Sequence, residues 1–169
     1  MPLRATEGGC LTCGNVRNNF VGPGAARGGK REDLNNRYFR SAWEANYARY
    51  LNLLIKTGQL TSWGFEERTF QFPVKRGGRL YTPDFRLTFP NGRIEYHEIK
   101  GYMSPRDATK IKRLKKYYPE ITLVLIEQDQ YHAITRQIAA LIPEWEFPKK
   151  HSGEAYRFQR SYGPSTRRG

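Results

Sequence analysis

The stretch Tyr81-Thr82-Pro83-Asp84-Phe85-Arg86-Leu87-Thr88-Phe89-Pro90-Asn91-Gly92-Arg93-Ile94-Glu95-Tyr96-His97-Glu98-Ile99-Lys100 decides how the chain folds. Asn91-Gly92 is its strongest hairpin signal, since both residues tolerate the left-handed backbone that tight strand connections demand. It joins two extended runs, 85–89 and 94–100, which must pair antiparallel, and Gly101 ends the second. Register then decides which side chains meet. A two-residue Asn91-Gly92 turn pairs Phe85 with Glu98 and sets Asp84 opposite Ile99, on the wrong face to meet Glu98. A three-residue loop or a bulge shifts the pairing by one residue, and Pro83 favours a bend at Asp84.

Working outward, Phe70, Phe72 and Val74 alternate with polar neighbours, Gly77-Gly78 can turn, and the extended signal resumes from Leu80 to Phe89. Further upstream, Trp43, Tyr47, Tyr50, Leu51, Leu54 and Ile55 recur at spacings of three and four, which predicts an amphipathic helix stopped by Gly58. Ser41 and Glu44 have capping-box spacing at its start. Downstream, a basic helix is expected from about Pro105 to Tyr118, with Ala108, Ile111, Leu114 and Tyr118 as its apolar stripe. The apolar run Ile121 to Ile126 predicts a strand buried on both faces, and His132 to Leu141 a last amphipathic helix. This order of elements predicts an α/β fold, a mixed central β-sheet flanked by helices.

The ends differ in character. Residues 1–33, rich in Gly and Asn, read as a flexible arm; 34–147 form the folded domain; 148–169 make a basic C-terminal tail carrying Tyr156, Phe158 and Tyr162. Cys10 and Cys13 are half of a zinc site at best, because a tetrahedral site needs two more ligands. The opening residues lack a secretory apolar stretch, so we expect a soluble, cytoplasmic protein with no membrane partner. The 29 Lys and Arg outnumber the 16 Asp and Glu, and the resulting formal charge of +13 is spread along the chain. A polyanion is the natural partner, because neutralising phosphates releases condensed counterions.

Glu98 and Lys100 stand two apart on a strand, so their side chains leave the same face and can converge on one atom. Carboxylates of Asp84 and Glu98 suit a hard cation such as Mg²⁺, which prefers oxygen ligands. Lys100 suits an attacking water or a charged transition state. Each also has a structural reading: Asp84 as a strand-end turn residue, Glu98 and Lys100 as a solvated ion pair, Glu44 as the partner of Ser41 in the helix cap. His97 points away from Glu98 by alternation. On the basic helix, Arg106, Lys110, Lys112, Arg113, Lys115 and Lys116 exceed what an apolar stripe explains, and Arg106, Lys110 and Arg113 share one face, suited to phosphates.

Pro83-Asp84 on one strand and Glu98-Ile99-Lys100 on the next, with Glu44 in an upstream helix, resemble the PD-(D/E)xK nuclease superfamily over roughly residues 38–127. The resemblance implies a restriction-endonuclease-like core and metal-dependent hydrolysis of DNA. It implies Mg²⁺, with Mn²⁺ able to substitute, held by Asp84, Glu98, the Ile99 carbonyl and Glu44. Arg40 joins the cations of the basic helix as an expected DNA contact. A small basic domain of this kind is similar to archaeal-type and phage Holliday junction resolvases, which implies a homodimer acting on four-way junctions. Two other readings stand beside it: a phage or transposon-associated endonuclease needing a partner to choose its site, and a nucleic-acid-binding module without turnover.

Overall fold

A computed structural model describes residues 28–74 and 77–147. The Cys10–Cys13 pair, most of the expected arm and the basic tail lie outside these residues. The described residues open on a small antiparallel hairpin, β1 (Gly29–Arg31) and β2 (Arg37–Phe39), inside and just beyond the stretch read as an arm. Nothing in its composition alternates cleanly enough to announce a strand. It is held by position: Phe39 is fully buried and Leu34 nearly so.

Helix α1 (Ala42–Lys56) begins at the expected cap, with Ser41 Oγ accepting from the Glu44 amide at 3.2 Å, and Gly58 follows its end at φ +73°. The apolar spacing predicts one buried face. Instead Ala42 and every residue from Glu44 to Arg49 are buried, because Ala42, Ala45 and Ala48 leave room for neighbours to approach from a second side. Strand β3 (Ser62–Phe65), which the sequence reading missed, then runs antiparallel to β6 (Phe85–Thr88).

Leu80 to Phe89 is not one strand. Leu80–Tyr81 (β5) pairs with Phe70–Gln71 (β4) in a separate two-stranded sheet, and the chain crosses at Thr82-Pro83-Asp84 into β6 of the main sheet. Proline, which donates no backbone hydrogen bond, sits at that crossing.

Between β6 and β7 (Ile94–Ile99) the loop has three residues. The Phe89 amide donates to the Arg93 carbonyl at 2.9 Å, the Gly92 amide donates to the Phe89 carbonyl, and Gly92 takes φ +81°. A left-handed third residue of this kind is what a three-residue hairpin loop requires. Phe85 therefore pairs with His97, one step from the two-residue expectation, and the same register carried one residue further sets Asp84 across from Glu98.

Helix α2 (Pro105–Tyr117) crosses over to β8 (Leu123–Ile126), which runs parallel to β7. The mixed sheet has the order β3-β6-β7-β8. Two expectations fail here. Among the described residues β8 is an edge strand, with Leu123, Val124 and Leu125 only half-buried, because its second side has no neighbouring strand. Ala108 is exposed, so α2 buries only Ile111 and Leu114. Helix α3 (Gln128–Ile138) starts four residues before the expected His132 and runs into a 3-10 turn at Ala139–Leu141. No helix among the described residues is long and apolar enough to cross a membrane.

The odd residues of β6 and β7, Phe85, Leu87 and Ile99, share one core with Tyr47 and Leu51 of α1, Tyr131 of α3 and Trp145 beyond it. On the opposite face Tyr96 meets Phe70, Phe72, Tyr81 and Leu114. His97 keeps to the α1 side, 2.6 Å from the Tyr47 hydroxyl and 3.1 Å from Glu95, as alternation required.

One polar network closes the unit. Arg49 binds both oxygens of Asp33 at 2.7 and 3.0 Å and reaches Glu146 at 2.8 Å; Arg31 also binds Glu146, and Asn46 bonds the Glu146 backbone in both directions. Burial works against the charges of Asp33 and Glu146, but Arg49 and Arg31 hold both carboxyls below their ordinary values. For a carboxylate with a depressed folded pKa, the stabilisation is complete above the ordinary values of 3.8 and 4.5 and is lost as pH falls through the depressed ones. Arg49→Met should therefore cost roughly 3 kcal/mol at neutral pH, and thermal unfolding should show a smaller loss of stability between about pH 6 and pH 3 than in the parent.

Candidate functional site

The three-residue loop sets the register that turns Asp84 toward Glu98. Asp84 Oδ2 accepts from the Ile99 amide at 2.8 Å, which ties the residue just before β6 to the end of β7. Ile99 thus contributes its amide to the site while its side chain enters the core. Tyr81, at the end of β5, donates its hydroxyl to Glu98 Oε2 at 3.1 Å. Lys100 Nζ lies 2.8 Å from Glu98 Oε1 and 3.7 Å from Asp107 in the first turn of α2. Asp107 is fixed by Ser104, the α2 cap, at 2.6 Å.

Asp84 and Glu98 are each 4% exposed. Burial, and next the charge of Glu98, pushes the Asp84 carboxyl up to about 7, against the Ile99 amide, which favours the charged form. Burial pulls Lys100 downward, yet the charges of Glu98 and Asp107 leave its ammonium above the ordinary lysine value. Asp84 and Glu98 are thus buried neighbours of like charge, with Lys100 held protonated beside Glu98.

Glu44 takes the cap position that its spacing from Ser41 predicts. Its Oε1 accepts from the Ser41 hydroxyl at 3.1 Å, completing the cap, while Oε2 accepts from the Arg40 amide at 3.0 Å. It reaches Asp84 only through Arg40. One nitrogen of that guanidinium lies 2.6 Å from Glu66 and 3.0 Å from Asp84, and its Nε is 3.9 Å from Glu44. Arg40, expected on DNA, is here turned inward onto carboxylates. Among the described residues no three Asp, Glu, His or Cys side chains converge closely enough to hold a metal as they stand. Arg40 and Lys100 lie among them instead. The donor set nevertheless suits a hard divalent cation: it is all oxygen, and Asp84 and Glu98 are buried neighbours whose charges act on one another.

The basic helix divides into two groups. Arg113 donates to the Gly78 carbonyl at 2.7 Å and lies across Gly77, which has φ +80° and no side chain to obstruct it. Lys110 packs against Gly78. Both brace the loop between β4 and β5, a role the sequence reading did not foresee. Arg106, Lys112, Lys115 and Lys116 are exposed.

Three participants carried no usable signal. Tyr81 lies in the stretch expected to be extended, and Asp107 and Glu66 belong to no motif of the sequence. Glu66 adopts φ +51°, and its amide bonds the Asp84 carbonyl at 2.9 Å, so its link to Asp84 spans a long sequence separation. No family model, curated protein or solved structure matches the chain.

A carboxyl whose folded pKa is raised destabilises the fold as pH rises from its ordinary value, 3.8, toward about 7. Asp84→Asn escapes that penalty and should be more stable than the parent above pH 7, by about 1–2 kcal/mol. Tyr81→Phe should be less stable by about 1–2 kcal/mol, because buried Glu98 loses a donor. Denaturant unfolding at about pH 8 checks both signs.

Proposed function

We propose that the protein is a metal-dependent endonuclease that hydrolyses DNA phosphodiester bonds at Asp84, Glu98 and Lys100. One observation carries the reading: the three-residue loop puts Asp84 across from Glu98, and Lys100 lies on that same carboxylate. A solvated ion pair needs neither burial nor a second carboxylate opposite it. A strand order with an antiparallel hairpin, a crossover helix and a parallel fourth strand is compatible with a restriction-endonuclease-like core.

In this reading Asp84 and Glu98, with Glu44 and the Ile99 carbonyl as further oxygen donors, hold Mg²⁺ or Mn²⁺. When bound, the cation supplies polarisation of the scissile phosphate and acidification of an attacking water. Lys100 orients that water or balances charge developing on the phosphate oxygens. Its neighbours Glu98 and Asp107 keep it protonated, which favours the electrostatic role. Tyr81 steadies Glu98. Arg106, Lys112, Lys115 and Lys116 grip the backbone of the strand. Four-way junctions are the proposed substrate and a homodimer the proposed form, since a small basic domain reads shape and backbone more readily than base sequence.

Cleavage of a labelled four-way junction and its matched linear duplex, each with Mg²⁺ and with chelator, tests the reading. Paired Mg²⁺-dependent cuts in the junction are expected, abolished in Glu98→Gln and Asp84→Asn and reduced at least a hundredfold, roughly, in Lys100→Ala. Cleavage by the carboxylate variants at the parent rate would sink the assignment. Cuts in linear duplex alone would replace the junction by another DNA substrate, and binding without cuts would favour a nuclease awaiting a partner or a non-catalytic module. Lys112→Ala should leave turnover intact and flatten the salt dependence of binding by about one unit of slope.

A further inference from the structure

The position of Arg40 is hard to explain as a fixed structural tie. Arg49 shows what such a tie looks like: its side chain is 6% exposed and grips Asp33 through two nitrogens while a third contact reaches Glu146. The Arg40 side chain is 61% exposed, and a single terminal nitrogen makes its close contacts to both Glu66 and Asp84. Its backbone is anchored, because its amide donates to Glu44. The guanidinium therefore enters a buried carboxylate cluster from the solvent side, on a long side chain that can turn without moving the main chain.

We propose that Arg40 is an exchangeable occupant of this cluster, supplying counter-charge there until a divalent cation binds and then turning outward onto a backbone phosphate of the nucleic acid. The inference rests on the nuclease reading of the same site. Glu44 and Glu98 each lie close enough for their charges to act on Asp84, and all three act on Arg40. A guanidinium bonded to Asp84 and a divalent cation held by that carboxylate repel one another, so the two occupy the cluster in turn. Glu66, strained at φ +51° and more exposed than the other two carboxylates, gives Arg40 its outer anchor. Once displaced, a planar guanidinium with five donors is well suited to phosphate oxygens. Metal occupancy and strand binding are thereby coupled through one side chain.

Two measurements on the full chain test the exchange. Calorimetric titration with Mg²⁺ and no DNA should show Arg40→Gln binding the cation roughly tenfold more tightly than the parent, with Arg40→Lys close to the parent. Junction binding is then followed against salt in a Lys100→Ala background, which keeps every carboxylate. The parent slope should exceed that of Arg40→Gln by about one unit with Mg²⁺ and by nothing with chelator. Simple loss of a positive charge predicts the same slope difference under both conditions, and that result overturns the exchange. Equal Mg²⁺ affinity in parent and Arg40→Gln also overturns it while leaving the metal reading intact. If no variant binds Mg²⁺, both fail together.

Discussion

Everything at the site depends on one hydrogen bond, from the Ile99 amide to Asp84 Oδ2. It forms only because the hairpin loop holds three residues, with Gly92 in the left-handed region, so that β6 and β7 meet one step from the two-residue register. A side-chain period of two makes that step decisive. With the other register Asp84 would stand across from Ile99, and the Asp84 and Glu98 carboxylates would leave opposite faces of the sheet. With this one it joins Glu98 on the face covered by β4, β5 and α2.

That covering layer explains why the acids are both buried and reachable. Tyr81 and the first turn of α2 close over Glu98 and Lys100, while the mouth toward Arg40 stays open to solvent. Arg113 and Lys110 hold the loop at Gly77-Gly78 against α2, so part of the helix's charge is committed to keeping the second layer in place. Arg106, Lys112, Lys115 and Lys116 of that helix stay exposed.

Much of this was legible from residue order. Ser41 and Glu44 marked the start of α1, Asn91-Gly92 marked the hairpin, and the spacing of Glu98 and Lys100 gave a shared face. Local patterns also allowed the register to shift but could not choose it, since a bulge and a three-residue loop leave similar sequence traces. What stayed hidden depends on distant partners. Strands β1, β2 and β3 are short and lack clean alternation; they exist because Phe39, Trp63 and Phe65 find α1 and β6. The run 121–126 is apolar enough for an interior strand, yet sheet order, which composition does not encode, leaves β8 at an edge. Arg40 carried a charge that suggested DNA, whereas its present contacts depend on Glu66 and Asp84 arriving from elsewhere in the chain.

The network around Arg49 has a consequence for how the domain can be built into larger proteins. Arg31, near the first described residue, and Glu146, near the last, bond to one another at 2.6 Å. Entry and exit of the folded unit therefore lie side by side, as in modules that can be spliced into a surface loop of a host protein without stretching it.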